Sequence, residues 1–498
     1  MKNLFLYLLK NPLISLPIVP IIFFFITFDN PYYSDDHQTI IGIKLYNLIQ
    51  DQSFLSIKDL FSVRSDGHLI PVLLIINNLI PANYFIFHAF VISTFLISIY
   101  LVYLILIKIN LEKETAVLSA FFYSIYFSIN IKPLVWNVFH SHITNSLTGL
   151  SSILIFLIFL EQKKLYLLLF YLLLASISIL NSETGIIYPI GLFIIYFLFY
   201  DKKLIISLII VTPIILFFIL LYFLSGDFYL LSDRTFHFKT NFFYFPNLNE
   251  NFKQVILEYR SRQSPNNFFG YAVIFFDNIL NILNISSYEY IWRSLNNWYL
   301  KFLIILIFLF SIFSYLFLMF KVNFKFLLKS KIFLNFTILL FLILILYSVP
   351  VHRSDLCVFL AFPSSVLVAL IIKSFFIIKQ NFFAYLAITI FTLPSLLYAF
   401  TGFNMVYEMR SRDFIKLMSQ SYYDTINEEI SYPMVYEKDF INLYCYKNYD
   451  KFKSNLSDYK DFSFYEFENL FSQHSINKLN PSKNCSYNLF IDIDKNNE

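Results

Sequence analysis

The stretch LIISLIIVTPIILFFILLYFL, from Leu204 to Leu224, contains no charged side chain and one proline, and it decides the fold class. At 1.5 Å of rise per residue, a helical run of about 20 residues reaches about 30 Å, the thickness of a bilayer's hydrocarbon core. Lys202 and Lys203 stand before it, and Ser225, Gly226 and Asp227 follow it. The stretch therefore reads as one membrane span with a basic flank.

The same pattern recurs along the chain. A window of about 20 residues gives eleven candidate spans, at roughly 10–28, 85–107, 115–131, 142–160, 165–180, 186–200, 203–224, 299–320, 332–350, 357–372 and 382–400. Hydrophobic residues make up 58% of the chain and charged ones only 14%, and the mean hydropathy is +0.64. That is too apolar for a water-soluble domain, so the expectation is an all-α polytopic membrane protein with about 11 transmembrane helices. The net charge of +4 is spread over short loops, so nucleic acid is not expected as a partner. The first span follows Lys2 and Lys10, and no small-residue cleavage motif follows it, so it reads as retained. Abundant Phe, Ile, Asn, Lys and Tyr points to an AT-rich, bacterial source.

Lysine placement gives the orientation. With the N-terminus in the cytoplasm, the inner segments hold Lys108, Lys113, Lys163, Lys164, Lys202, Lys203, Lys321, Lys325, Lys329, Lys331, Lys373 and Lys379. The short outer turns near 132–141, 181–185 and 351–356 hold only Lys132 and Arg353, as the positive-inside rule requires. Three larger segments then face outward: 29–84, 225–298 and the tail 401–498. Two stretches of the first, Gln38 to Gln50 and Leu69 to Ile80, are apolar but too short to span and read as interfacial helices. The second turns apolar and aromatic from Phe268 to Trp298 and reads as a flap with interfacial helices. The tail is polar and long enough for a small extracytoplasmic domain, leaving 1–400 as the membrane domain. Cys445 and Cys485 both fall in that tail, as a disulfide or as two free thiols.

Reactive groups gather on the outer side. Tyr33-Ser34-Asp35-Asp36-His37 places two carboxylates side by side just after the first span. Neighbouring like charges repel, so such a pair suits cation binding or proton exchange at a reaction centre. His140 and His142 flank the start of the fourth span and are candidate metal ligands, provided the span starts irregularly. Glu183 sits in a short turn between two spans, where an acid is costly unless it is paired or functional. Arg353, on the short turn before a late span, has the planar fork that grips a phosphate. Arg234, Arg260 and Arg262 in the long loop read as solvated charge. The Asn-x-Ser/Thr triplets at Asn284, Asn455 and Asn484 matter only in a glycosylating host.

In this order the features resemble the GT-C superfamily of polytopic glycosyltransferases, in its protein mannosyltransferase-like and aminoarabinose transferase-like branch. The resemblance covers roughly residues 10–400. It rests on Asp35-Asp36, on Arg64-Ser65-Asp66-Gly67-His68-Leu69-Ile70-Pro71 followed by His88, on Asn181-Ser182-Glu183-Thr184-Gly185, and on His352-Arg353. Two departures stand out: the second acid is Asp where the family carries Glu, and Arg353-Ser354-Asp355 replaces an Arg-Tyr pattern.

The resemblance implies a GT-C-like fold and transfer of a sugar from a polyprenyl-phosphate donor to a cell-envelope glycan, lipid or protein. The place would be the outer face of a bacterial inner membrane. Asp35 is then the base, Asp36 orients the acceptor or holds a divalent cation, and Arg64, His68, His88, Glu183 and Arg353 contact substrate. Two other readings fit parts of the pattern. A polysaccharide polymerase or ligase would use the loop arginines. A non-enzymatic transporter of lipid-linked oligosaccharides would line its spans with charge, and these spans are nearly free of it.

Overall fold

The computed structural model describes residues 9–27, 84–126, 140–181, 183–200, 203–225, 268–285, 288, 291–292, 297–348 and 358–408. Helices fill them, and no strand occurs among these described residues. In chain order they are α1 (Pro12–Ser15), α2 (Ile18–Thr27), α3 (Tyr84–Lys108), α4 (Lys113–Ile125), α5 (His140–Gln162), α6 (Leu165–Asn181), α7 (Ile187–Phe199) and α8 (Leu204–Ser225). There follow α9 (Phe268–Ile282), α10 (Trp298–Lys321), α11 (Phe324–Leu328), α12 (Lys331–Ser348), α13 (Ala361–Ile377) and α14 (Asn381–Glu408), with 3₁₀ turns at Glu183–Ile186 and Val358–Leu360.

Among the described residues, four helical stretches are long and apolar enough to cross a membrane: His88–Lys108, Ile143–Gln162, Trp298–Lys321 and Val358–Ile377. Shorter apolar helices join them, including Leu165–Asn181, Thr184–Phe199, Leu204–Ile219 and Lys331–Leu346. Many large side chains face outward, among them Phe302, Phe310, Phe313 and Phe320 on α10. In water such a surface would aggregate, whereas a bilayer covers it without cost.

The bundle is built around α3, α4, α5 and α13. α5 packs on α3 and α6, and α4 packs on α13. Their shared faces bury Phe95, Phe122, Tyr123, Phe156 and Phe375. Close approach needs missing side chains at two points. A Cβ on Gly149 of α5 would lie 2.1 Å from the Tyr188 ring of α7, and one on Gly191 would lie 2.7 Å from the Phe359 ring. Tyr188 therefore rests on bare α5 backbone, with its ring edge-to-face on Phe359 at 5.0 Å.

Polar contacts tie the lysine-bearing helix ends together. Lys108 at the end of α3 pairs with Glu161 of α5 at 2.6 Å. Lys373 of α13 pairs with Glu112, just before α4. The Tyr200 hydroxyl donates to the Lys108 carbonyl at 3.3 Å, and Asn335 of α12 donates to the Leu198 carbonyl at 3.0 Å. The opposite end of the bundle then holds the first turns of α3 and α5 and the 3₁₀ turn before α7. Several helices stop on a left-handed residue that is not glycine: Asn110, Lys163, Asn284 and Lys379 all have φ near 60°. At Asn110 the bonds Leu111 N–H to Leu106 O and Asn110 N–H to Ile107 O close a Schellman motif.

The described part of the segment from Phe268 is helix α9, which packs one face on α12 and leaves Phe276 and Leu280 exposed on the other. The span expected at 382–400 corresponds to the apolar stretch Asn381–Leu397 of α14, whose helix runs on to Glu408. The first apolar stretch is not one continuous helix but is broken between α1 and α2, where Pro17 lacks the N–H that a helix interior needs. The expected interfacial stretches 38–50 and 69–80 and the tail beyond Glu408 lie outside the described residues.

Candidate functional site

Serine, threonine and asparagine are expensive in an apolar bundle unless each polar atom is bonded, so a cluster of them marks a place that had to be built. Such a cluster joins the second turn of α5 to the end of α6 and the 3₁₀ turn. The Asn181 side-chain amide donates to Asn145 Oδ1 at 2.5 Å and to Thr144 Oγ1 at 3.1 Å. Asn145 in turn donates through Nδ2 to Thr184 Oγ1 at 3.2 Å. Ser178 Oγ donates to the Asn145 carbonyl at 3.4 Å, and Ser146 Oγ meets the Tyr188 hydroxyl at 2.7 Å. All of these side chains are buried.

The turn that carries Glu183 is compact because of Gly185. A Cβ there would fall 2.0 Å from the Ser178 carbonyl oxygen, so only glycine lets the chain fold back onto the end of α6. The cluster thus clamps the Glu183 turn to α5 one turn beyond His140 and His142.

The fold brings four expected site residues to one end of the bundle, opposite the lysines: His88 at the start of the second turn of α3, His140 and His142 in the first turn of α5, and Glu183 in the 3₁₀ turn. His88 is buried and stacked on Phe24 of α2, with centroids 5.7 Å apart and planes 14° apart. That contact fixes α2 against α3 and gives His88 a packing role.

The backbone of α5 is helical from His140 onward. Residues two apart on a regular helix are separated by about 200° around the axis, so positions 140 and 142 do not share a face. The irregular start that a two-histidine metal site needed is not there. Among the described residues no group of three or more His, Cys, Asp or Glu could hold a metal ion. Asp35, Asp36, Arg64, His68 and Arg353 lie outside the described residues.

Sequence reasoning passed over Thr144, Asn145 and Ser146, although three polar residues in a row inside an apolar span were a visible signal. It also passed over the polar side of α9, where Asp277, Asn278, Asn281 and Asn284 recur at helical spacing. In the sequence Asn284 stands out only as a glycosylation acceptor triplet. It is buried, and its amide donates to the Phe391 carbonyl at 3.0 Å and to Ser395 Oγ, so an enzyme cannot reach it in the folded chain. No protein-family model, no curated protein and no solved structure matches this chain.

Proposed function

We propose that the protein is a GT-C type glycosyltransferase of about eleven spans, with its N-terminus in the cytoplasm, that transfers a sugar from a polyprenyl-phosphate donor to a cell-envelope acceptor on the outer face. One observation supports the reading: of the polar motifs that follow the family's order, His88 and Glu183 lie at the bundle end opposite the lysines, together with the candidate ligands His140 and His142. A bilayer protein places its lysine-rich end in the cytoplasm, which assigns the motif end to the outer face.

The chemistry asks for few groups. Asp35 takes the proton of the acceptor hydroxyl as that oxygen attacks the anomeric carbon. The bond from sugar to phosphate breaks, and Arg353 meets the charge that gathers on the departing phosphate. Asp36 orients the acceptor or holds a divalent cation. The buried amide cluster keeps the Glu183 turn in place beside α5, where an acid near the membrane edge can bind a sugar hydroxyl.

Mass spectrometry of lipid-linked sugars in cells lacking the protein tests this reading. Accumulation of a polyprenyl-phosphate sugar is the expected result. An unchanged lipid-linked sugar profile, together with no release of polyprenyl phosphate by the purified protein, would overturn it.

A further inference from the structure

The link between α10 and α12 is short, basic and apolar at once. From Lys321 to Lys331 it reads KVNFKFLLKSK, four lysines in eleven residues, and no Asp or Glu occurs between Glu289 and Asp355. Two caps hold it in shape. Asn323 Oδ1 accepts from the Phe326 N–H at 3.1 Å and starts α11, and Ser330 Oγ accepts from the Phe333 N–H at 3.4 Å and starts α12. α11 packs on α12 and α13, and Leu327 is buried. Phe326 and Leu328 stay 41% and 52% exposed, and Phe320, beside Lys321, is 86% exposed.

The lysines of this link have no acid to meet. Lys321, Lys329 and Lys331 are exposed, and none forms an ion pair with a described residue. Two acids of this end of the bundle, Glu161 and Glu112, are engaged by Lys108 and Lys373, and a third, Glu114, stands on the first turn of α4. The Lys321 Nζ lies over the Phe317 ring, 5.7 Å from its centroid. That ring meets Phe383 of α14 with centroids 5.5 Å apart, and the Phe383 N–H bonds to the Gln380 carbonyl at 3.1 Å. The turn that carries Lys379 therefore extends the same basic rim.

Bare phenylalanine and leucine side chains beside lysines suit the boundary of a bilayer, where rings and methyls enter the acyl layer while each ammonium reaches the headgroups. Four lysines next to a span, without acids among them, complement the phosphates of an anionic leaflet. An acidic protein segment would satisfy the charge but would leave Phe320, Phe326 and Leu328 without an apolar cover.

We infer that α11 and the lysines Lys321, Lys325, Lys329 and Lys331 dock the headgroups of anionic phospholipids, which hold the link between α10 and α12 on the membrane surface. This surface lies at the bundle end opposite the Glu183 turn, and its binding does not depend on the activity proposed above.

The test titrates the purified full chain in detergent with phosphatidylglycerol, with phosphatidylcholine of the same acyl chains, with glycerol phosphate and with poly-glutamate. Native mass spectrometry counts bound lipid, and thermal shift reads affinity. The wild type should favour phosphatidylglycerol over phosphatidylcholine by about tenfold or more, and salt should weaken that preference. Lys329→Gln with Lys331→Gln alters two exposed side chains, so the protein should melt normally without lipid and lose about tenfold or more of its affinity for phosphatidylglycerol. Lys163→Gln with Lys164→Gln removes the same charge from the turn between α5 and α6, where Glu161 stands close by, and should change that affinity by less than about twofold.

Equal affinity of the wild type for the two lipids, or equal losses from the two double variants, would overturn the docking surface. A shift by glycerol phosphate as large as that by phosphatidylglycerol would assign the lysines to soluble anions, and tighter binding of poly-glutamate would assign them to an acidic protein segment; either result would overturn the lipid assignment.

Discussion

Asn145 and Asn181 face each other across α5 and α6, with side-chain nitrogen and oxygen 2.5 Å apart, and through Thr184 this amide pair reaches the turn that holds Glu183. The pair couples helix packing to site geometry: what holds α6 against α5 also sets where the acidic turn begins.

Replacing Asn181 with Leu leaves Asn145 and Thr144 without the amide that donates to them. The expected loss is about 1–3 kcal/mol of stability, the usual cost of orphaning a buried polar group. The double change Asn145→Leu with Asn181→Leu should cost less than the two single changes added, because it leaves fewer orphans. Thermal unfolding in detergent reads both, and strictly additive losses would show that the two amides act independently.

Gly149→Ala drives a methyl group to 2.1 Å from the Tyr188 ring. Overpacking of this kind costs about 1–3 kcal/mol, and adding Tyr188→Ala should recover part of it by opening the space. A Gly149→Ala protein with an unchanged melting temperature would mean that α5 and α7 do not pack as closely as described.

Asp35→Asn keeps the size and hydrogen-bonding reach of the side chain but removes the basic carboxylate. Sugar transfer should fall by about a hundredfold or more, the scale of a general base, with membrane insertion unchanged. Transfer at the normal rate by the purified variant would assign the proton to another group.

Arg353→Lys keeps the charge but loses the two-pronged grip, so donor use should weaken, and Arg353→Ala should weaken it further. Acceptor dependence should hardly change. Steady-state kinetics with a short-chain donor separates the two, and a change confined to the acceptor would move the phosphate contact to Arg234, Arg260 or Arg262.

Expression in a glycosylating host should leave Asn284 bare, because its amide is engaged with Phe391 and Ser395 inside the bundle. Intact-protein mass spectrometry of the wild type and Asn284→Gln should show no glycan that depends on this residue.

The sequence by itself determined that the chain is helical and belongs in a membrane. Apolar runs such as Leu204 to Leu224 leave the backbone no partner but itself, and that rule acts locally, so most helix ends could be placed to within a few residues. It also marked the lysine-bearing ends, since a lysine's preference for one side of the membrane needs no tertiary partner.

Only the tertiary structure decided which polar residues meet. Thr144 and Asn145 are 36 or more residues away from Asn181 at the end of α6 and Thr184 in the Glu183 turn, and no periodicity encodes a contact across that distance. The same holds for α9. Its apolar, aromatic composition suits a membrane surface as well as a bundle interior, and its place was set by bonds to Tyr315, Phe391 and Ser395 on helices that come later in the chain. Burial turns an ordinary asparagine into a costly one, and burial is a property of the packed bundle, which no single stretch of sequence contains.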